Sequence, residues 1–203
     1  GEQDVETLDS AELGWRGAIG AARVEIALYH MDKRDTSFRN ADGFTVTDGK
    51  TRHEGVELSG AMPLTEDLEF AGWITYAAHT YQFDDPVTRA GESISKGDDV
   101  DSAPRWISNA RLLWRPLQAV SAELEWVHMG EYFTNAANTN AYTGHDIFNL
   151  RADWEVRDGL TLFGAVRNVT NTDYAERADF AFGNDRYFPG EDRGYTIGLR
   201  ARR

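Results

Sequence analysis

Between positions 117 and 156, apolar and polar residues alternate through two successive stretches. Val120, Ala122, Leu124 and Trp126 share one phase, and Ser121, Glu123 and Glu125 share the other. Phe148, Leu150, Ala152, Trp154 and Val156 then alternate with Asn149, Arg151, Asp153 and Glu155. A period of two marks a β-strand whose two faces meet unlike surroundings. Two architectures produce it. In a soluble sandwich the polar face is the outside, whereas in a membrane barrel the polar face lines the lumen and the apolar face meets lipid.

The same pattern predicts roughly nine strands, near residues 9–17, 23–39, 50–61, 68–83, 105–115, 119–132, 145–156, 160–168 and 193–203. The connections alternate strictly in length. Short ones fall at 18–22, 62–67, 116–118 and 157–159; long polar ones fall around 40–49, 84–104, 133–144 and 169–192. Such sorting is expected of an up-and-down barrel with tight turns on one membrane side and extended loops on the other. All five prolines lie in connections or at strand ends, where no ladder hydrogen bond is lost. Strands of ten or more residues suit a tilted bilayer crossing better than an average globular sheet. If the short turns are periplasmic, the final strand descends, residue 203 lies on the periplasmic side and the chain begins outside. An odd strand number that starts outside predicts a piece of a larger barrel, because complete bacterial barrels have even counts.

Composition narrows the options. The 203 residues carry a formal charge of −13, which argues against a nucleic-acid partner, since phosphate binding calls for a basic surface. No apolar run is long enough for a transmembrane helix. Hydrophilic average composition does not exclude a barrel, which puts only half of each strand into lipid. Cysteine is absent, as suits a bacterial envelope protein. The aromatic set of 6 Trp, 8 Tyr and 10 Phe is rich enough for interfacial girdles. Trp15, Phe70, Tyr76, Trp114, Trp126, Phe148, Trp154 and Tyr195 fall on apolar phases and read as lipid contacts or girdle anchors.

Motifs of chemistry are sparse. No nucleophile elbow, P-loop or zinc-protease helix occurs, and no enzyme activity is expected. The carboxylates of Glu123 and Glu125, like those of Asp153 and Glu155, stand two apart on strands. With Arg151 they line one wall and read as lumen-facing groups. His30, His53, His79, His128 and His145 are scattered singly, without metal-ligand spacing, so no metal site is expected among them. The loop 84–103 holds Asp84, Asp85, Glu92, Asp98, Asp99 and Asp101 against Arg89 and Lys96. Clustered oxygens of this kind can hold Ca²⁺, although the spacing is not that of an EF-hand; a solvated acidic loop is the plainer reading. Tyr132, Phe133 and Tyr142 stand at the rim of an outer loop, either to stack on an incoming ligand or to pack the loop. Tyr132, Phe133, Asp98, Asp99 and Asp101 are the candidate ligand contacts.

The last segments carry a family signature. Asn168-Val-Thr-Asn171-Thr-Asp-Tyr174 follows the second-last strand, and Pro189-Gly190-Glu-Asp-Arg193 opens the final one. This arrangement resembles the C-terminal region of TonB-dependent outer-membrane receptors. Ala11-Glu-Leu-Gly14-Trp15, His53-Glu-Gly55-Val56-Glu57 and Ala103-Pro104-Arg105 are similar to earlier segments of that family, in its order. The resemblance implies an all-β, antiparallel, up-and-down transmembrane barrel of roughly 22 strands. Residues 1–203 would supply about the last nine as an open curved sheet. It implies high-affinity capture and active import of a scarce nutrient such as a ferric siderophore, without a cofactor. The implied partners are outer-membrane lipid, the plug and N-terminal strands of the same receptor, a small-molecule ligand, and TonB through a segment outside this chain. Arg203 stands where the family usually has an aromatic. A small independent outer-membrane barrel of structural or adhesive role, and a soluble β-sandwich carbohydrate-binding module, are the alternatives.

Overall fold

Period-two patterning becomes strand throughout the chain. The computed structural model describes residues 5–39, 45–85, 93–181 and 183–202, and among them there is no helix. The strands are β1 (Thr7–Ile19), β2 (Ala22–Arg39), β3 (Thr45–Pro63), β4 (Leu68–Tyr81), β5 (Trp106–Leu117), β6 (Val120–Met129), β7 (Tyr132–Phe133), β8 (Ala141–Tyr142), β9 (His145–Arg157), β10 (Leu160–Arg167), β11 (Ala175–Ala181), β12 (Asn184–Pro189) and β13 (Gly194–Ala201). Nine of them form one antiparallel sheet in the order β1-β2-β3-β4-β5-β6-β9-β10-β13. The other four make two small hairpins, β7–β8 and β11–β12, in stretches that the sequence reads as loops apart from Tyr132, which it assigns to the preceding strand. Glu92, Arg89 and Arg203, and the first residues of the chain, lie outside the described residues.

Each strand pairs with its predecessor in the main sheet, so the topology is a plain meander. Two of the tight turns show how it is made. Gly20-Ala21 joins β1 to β2 and Asp158-Gly159 joins β9 to β10, with Gly20 at φ 60° and Gly159 at φ 74°. That left-handed backbone is what a two-residue hairpin requires and what glycine adopts without strain. The connections β4–β5, β6–β9 and β10–β13 gather at the opposite end of the strands, whereas the long loop expected over 40–49 is cut short because β3 already begins at Thr45.

Register converts the alternating sequence into two faces. Met62, Phe70, Leu112, Leu124, Leu150, Val166 and Tyr195 are successive cross-strand partners, an apolar row across seven strands. On this phase no strand carries a charge below Asp9, His30, Glu54 and Asp146, all of which sit toward the long-loop end. Among the described residues no second sheet covers the face. Trp154 is 51% exposed and Leu124 43%, whereas a sandwich would bury both. The soluble-sandwich alternative is therefore excluded. On this phase β4 is uncharged from Leu68 to Tyr76, a rise of about 26 Å along the strand and about 20 Å of depth at a tilt of about 40°, which fits within the apolar band of a membrane barrel.

Aromatics mark both borders of this band. At the loop end the Trp126 indole donates to Asp146 Oδ1 at 2.7 Å, and His128 lies on the same oxygen at 2.9 Å. At the turn end Trp114 donates to Asp67 Oδ2 at 3.2 Å. Amphipathic indoles with their N–H groups turned to polar partners are the expected furniture of an interface. Thr65 and Trp114 hold the Asp67 carboxyl below the usual carboxylate range.

Candidate functional site

Directly behind the apolar face lies a polar wall. Glu123 and Arg151 are cross-strand partners on β6 and β9, and Arg151 Nη2 donates to Glu123 Oε1 at 2.8 Å. Glu125 faces Asn149 in the next pair but one. Its two carboxylate oxygens accept from Asn109 Nδ2 at 2.8 Å and Asn149 Nδ2 at 2.9 Å. Asp153 lies 3.9 Å from Arg200 Nη1, while Arg200 stacks over the Phe163 ring at 5.3 Å. Glu155 is exposed toward the turn end. All five wall residues read from the sequence thus share the phase opposite the apolar row. Their spacing puts charges beside opposite charges or amides, and no two carboxylates are brought together as an acid–base pair.

Two histidines scattered in sequence meet on this wall. His53 on β3 and His79 on β4 are direct cross-strand partners, with their Nδ1 atoms 2.8 Å apart. Single-chain spacing cannot show such a pair; only the register does. The other three histidines have different partners. His30 lies 3.2 Å from Glu54, His128 contacts Asp146, and His145 Nδ1 is 2.8 Å from the Tyr142 hydroxyl.

Above the wall the outer loops are tied together. The Tyr132 hydroxyl accepts from Ala178 N at 2.8 Å, and the Tyr142 hydroxyl accepts from Ala175 N at 3.0 Å. These two rings, with Ala175 and Ala178, form a buried apolar cluster. Tyr132 is accordingly interior, and its ring packs β7–β8 beneath β11 instead of presenting a face to solvent. It does not belong to β6, which ends at Met129, short of the predicted limit at 132. Phe133 is half-buried, and its carbonyl accepts from Ser102 N at 2.8 Å. Thr134 O accepts from Phe180 N at 2.9 Å. Asn138 reaches the loop before β5: its Oδ1 accepts from Asp99 N at 2.7 Å and its Nδ2 donates to Asp99 O at 2.8 Å.

The acidic loop distributes its carboxylates one by one. Asp98 accepts from Ser95 N at 2.8 Å, Asp99 takes both Nε and Nη2 of Arg105, and Asp101 accepts from the Tyr81 hydroxyl at 2.7 Å. Asp84 accepts from Lys96 N at 2.9 Å. Among the described residues no three His, Asp or Glu side chains converge in a metal-holding group. Sequence reading missed the asparagines. Asn135, Asn138 and Asn140 stand close together in sequence, and that clustering is the signal for a side-chain-built turn. It also missed Asp179 on β11, which accepts from Arg186 Nε at 2.6 Å and Arg177 Nη2 at 2.7 Å. The Arg186 hydrogen bond is the main cause holding its carboxyl below the usual range, against burial acting the other way.

The closing signature has a mechanical basis. Asn168, immediately after β10, adopts left-handed backbone at φ 49° and is buried. Its Nδ2 donates to Thr172 O at 2.9 Å and Glu191 O at 3.1 Å, and its Oδ1 accepts from Thr172 N at 2.9 Å. The Asn171 side chain accepts from Arg193 N at 3.1 Å. The Tyr174 ring occupies the space a Cβ on residue 190 would take, which leaves glycine as the fitting residue there. These residues clamp the two ends of the longest outer loop.

Comparison with known proteins agrees with this architecture. The family model described as "TonB dependent receptor-like, beta-barrel" matches residues 4–169. The catecholate siderophore receptor Fiu of Escherichia coli strain K12 is 27% identical over 200 residues, covering 93% of this chain and 25% of that protein. The metal-pseudopaline receptor CntO of Pseudomonas aeruginosa strain UCBPP-PA14 is 25% identical over 190 residues, covering 89% of this chain and 25% of that protein. The chain therefore spans about a quarter of the length of the curated relatives it matches. Among solved structures, the ferric yersiniabactin uptake receptor FyuA from Yersinia pestis superposes with a TM-score of 0.79 at 14% identity, over 97% of this chain and 30% of that one. At that identity the likeness is one of fold.

Proposed function

The chain belongs to the TonB-dependent receptor β-barrel family, and from that premise we propose that it forms the C-terminal wall and outer loops of a receptor that captures and actively imports a scarce metal chelate, a ferric siderophore or similar. The protein is an outer-membrane protein, as its family is, and its family transports nutrients instead of transforming them. The carrying observation is the match to a catecholate siderophore receptor over 93% of the chain. The geometry supports it. An uncharged face suited to lipid backs a charged wall suited to a wet lumen, and tied loops crown the end where a ligand enters.

In this reading Glu123, Glu125, Arg151, Asp153 and Glu155 line the lumen and keep it hydrated. Tyr132, Asp99 and Asp101 hold the loops in their shape, while Phe133 and Asp98 retain surface for ligand. Lipid lies on the apolar face, and the plug and remaining strands of the receptor complete the barrel. TonB engages a segment outside this chain, and no residue here acts as a catalyst. A small independent barrel would pair β1 with β13, but these two strands are the edges of the described sheet.

The test is uptake. A strain lacking siderophore receptors, complemented with the full-length receptor, is expected to accumulate radiolabelled iron from ferric catecholates in a TonB-dependent manner. Alanine at Asp98 and Phe133 is expected to raise the half-saturating concentration with little change in protein level. Failure of the wild-type receptor to import any ferric chelate, at normal abundance in the outer membrane, sinks the reading.

A further inference from the structure

We propose that His53 and His79 form a two-imidazole site for a borderline divalent transition metal such as Cu²⁺ or Zn²⁺ on the receptor's inner wall; the placement on that wall rests on the reading above. The two side chains project from the same row of β3 and β4. Their ring centroids are 5.1 Å apart and the rings are inclined by 52°, so the Nδ1 atoms point at one another across 2.8 Å. Both residues are half-buried, which leaves the pair open to a solute in the lumen. It lies three residues beyond Tyr76 on β4, past the aromatic border of the apolar band and below the tied loops.

The second nitrogen of His53 is already held. His53 Nε2 is 2.9 Å from Thr51 Oγ1. With Nε2–H donating to that hydroxyl, His53 Nδ1 keeps its lone pair, and His79 Nδ1–H donates to it. An outer-shell partner that fixes tautomer and ring orientation in this way is the usual companion of a metal-binding imidazole. Two imidazole nitrogens on one tetrahedral ion at 2.0–2.1 Å stand about 3.3 Å apart. The pair must therefore open by about half an ångström, and each ring must turn by roughly 35° so that both lone pairs converge on the ion instead of lying along the Nδ1–Nδ1 line. The exchange balances: two waters leave the aqua ion, the His79 proton moves from Nδ1 to Nε2, and no proton is lost overall.

The surroundings suit a soft or borderline ion. Met31 is the cross-strand partner of His53 on its other side, which completes a Met–His–His row on one face of three strands. Imidazole and thioether favour copper, zinc and nickel over the hard ferric ion, which prefers oxygen. Nearby charges are mostly paired already: Lys33 with Glu6 at 2.8 Å, and Asp99 with Arg105 at 2.7 Å. Two protein donors leave coordination positions open, as a transient site for a passing metal or partly wrapped chelate needs, unlike a closed four-ligand structural site.

The test uses the full-length receptor, purified metal-free in detergent and titrated with Cu²⁺ or Zn²⁺ alone. One equivalent is expected to bind, with nitrogen coupling from two imidazoles in the Cu²⁺ electron paramagnetic resonance spectrum. His53→Gln and His79→Gln are each expected to weaken binding about tenfold or more and to remove the two-nitrogen pattern. The double variant is expected to be no weaker than the singles, and Thr51→Val to weaken binding roughly tenfold. Heat-modifiable electrophoretic mobility checks that each variant is folded, and the wild-type spectrum needs no variant at all. Absence of two-nitrogen coupling in the wild type, or unchanged affinity and stoichiometry in the folded double variant, overturns the proposal. Ferric-chelate uptake in the same strains reads the receptor function separately. Its failure alongside His-dependent copper binding would remove the import reading and leave the site.

Discussion

Leu124→Arg is the sharpest probe of which face meets lipid. Leu124 sits on β6, six residues beyond Gln118 in the tight turn and four below His128, where the outward phase becomes polar. Six rises of about 3.3 Å, tilted by about 40°, place it roughly 15 Å into a hydrocarbon layer of about 30 Å. Its cross-strand partners Leu112 and Leu150 are apolar, so an arginine there finds no counter-ion. Arginine at the midplane of a barrel's lipid face costs about 2–4 kcal/mol, equivalent to roughly a thirtyfold to several-hundredfold shift in the folding equilibrium. The control is Ser121→Arg on the opposite phase, where the cross-strand partner is Asp153; there the change is expected to stay within about 0.5 kcal/mol. Both are measured on the full-length receptor folded into lipid vesicles, as the shift in denaturant midpoint with the mobility of unheated protein as readout. Equal tolerance of the two substitutions, or a larger penalty at residue 121, would refute the assignment of faces.

Other outcomes follow from the loops and edges. Asn168→Ala removes three side-chain bonds of a buried amide and is expected to destabilise the loop clamp by about 1–3 kcal/mol, read as faster hydrogen exchange in residues 171–193 with the wall unchanged. The folded-state pKa of Asp179 is depressed by Arg186, so its contribution to the β11–β12 hairpin is fully present above the unfolded value near 3.9 and is lost as pH falls through the folded value. Limited proteolysis of the hairpin is therefore expected to accelerate only in strong acid, and Asp179→Asn should abolish that dependence while loosening the hairpin at neutral pH. Residues 1–203 expressed alone are expected to aggregate, because β1 and β13 leave unpaired backbone edges that are costly in lipid and template association in water; a monodisperse monomer with a cooperative melt in detergent would contradict this.

The wall was legible in the sequence and the crown was not. Alternation such as Val120 to Trp126 reports directly on which environment each side chain meets, since the strand has only two faces. That one regularity yields the nine strands of the main sheet and their two faces, whereas the register that sets Leu124 beside Leu150 comes from the structure. The prediction that β6 runs to residue 132 fails for a non-local reason: Tyr132 continues the apolar character, yet its hydroxyl is bound to β11, some 46 positions away. Contacts of that range leave no periodic trace. The same holds for Asp99 with Asn138 and for His53 with His79, each pair made by the meander bringing distant positions abreast. The Asn168 to Arg193 signature was readable only as a pattern; the geometry turns it into a clamp with an amide bonded to both ends of one loop.

The lacing of the outer loops also limits how the entrance can open. Asn138 fastens the segment before β5 to the one after β7, Phe133 and Ser102 add a second stitch, and Phe180 with Thr134 carries the seam on to β11. Three loops joined in series have few independent degrees of freedom. Displacement of any one is therefore expected to carry the others with it. Because the Ser102–Phe133 and Phe180–Thr134 stitches are made by backbone groups, a substitution at Asn138 alone would leave the three loops joined by the remaining two.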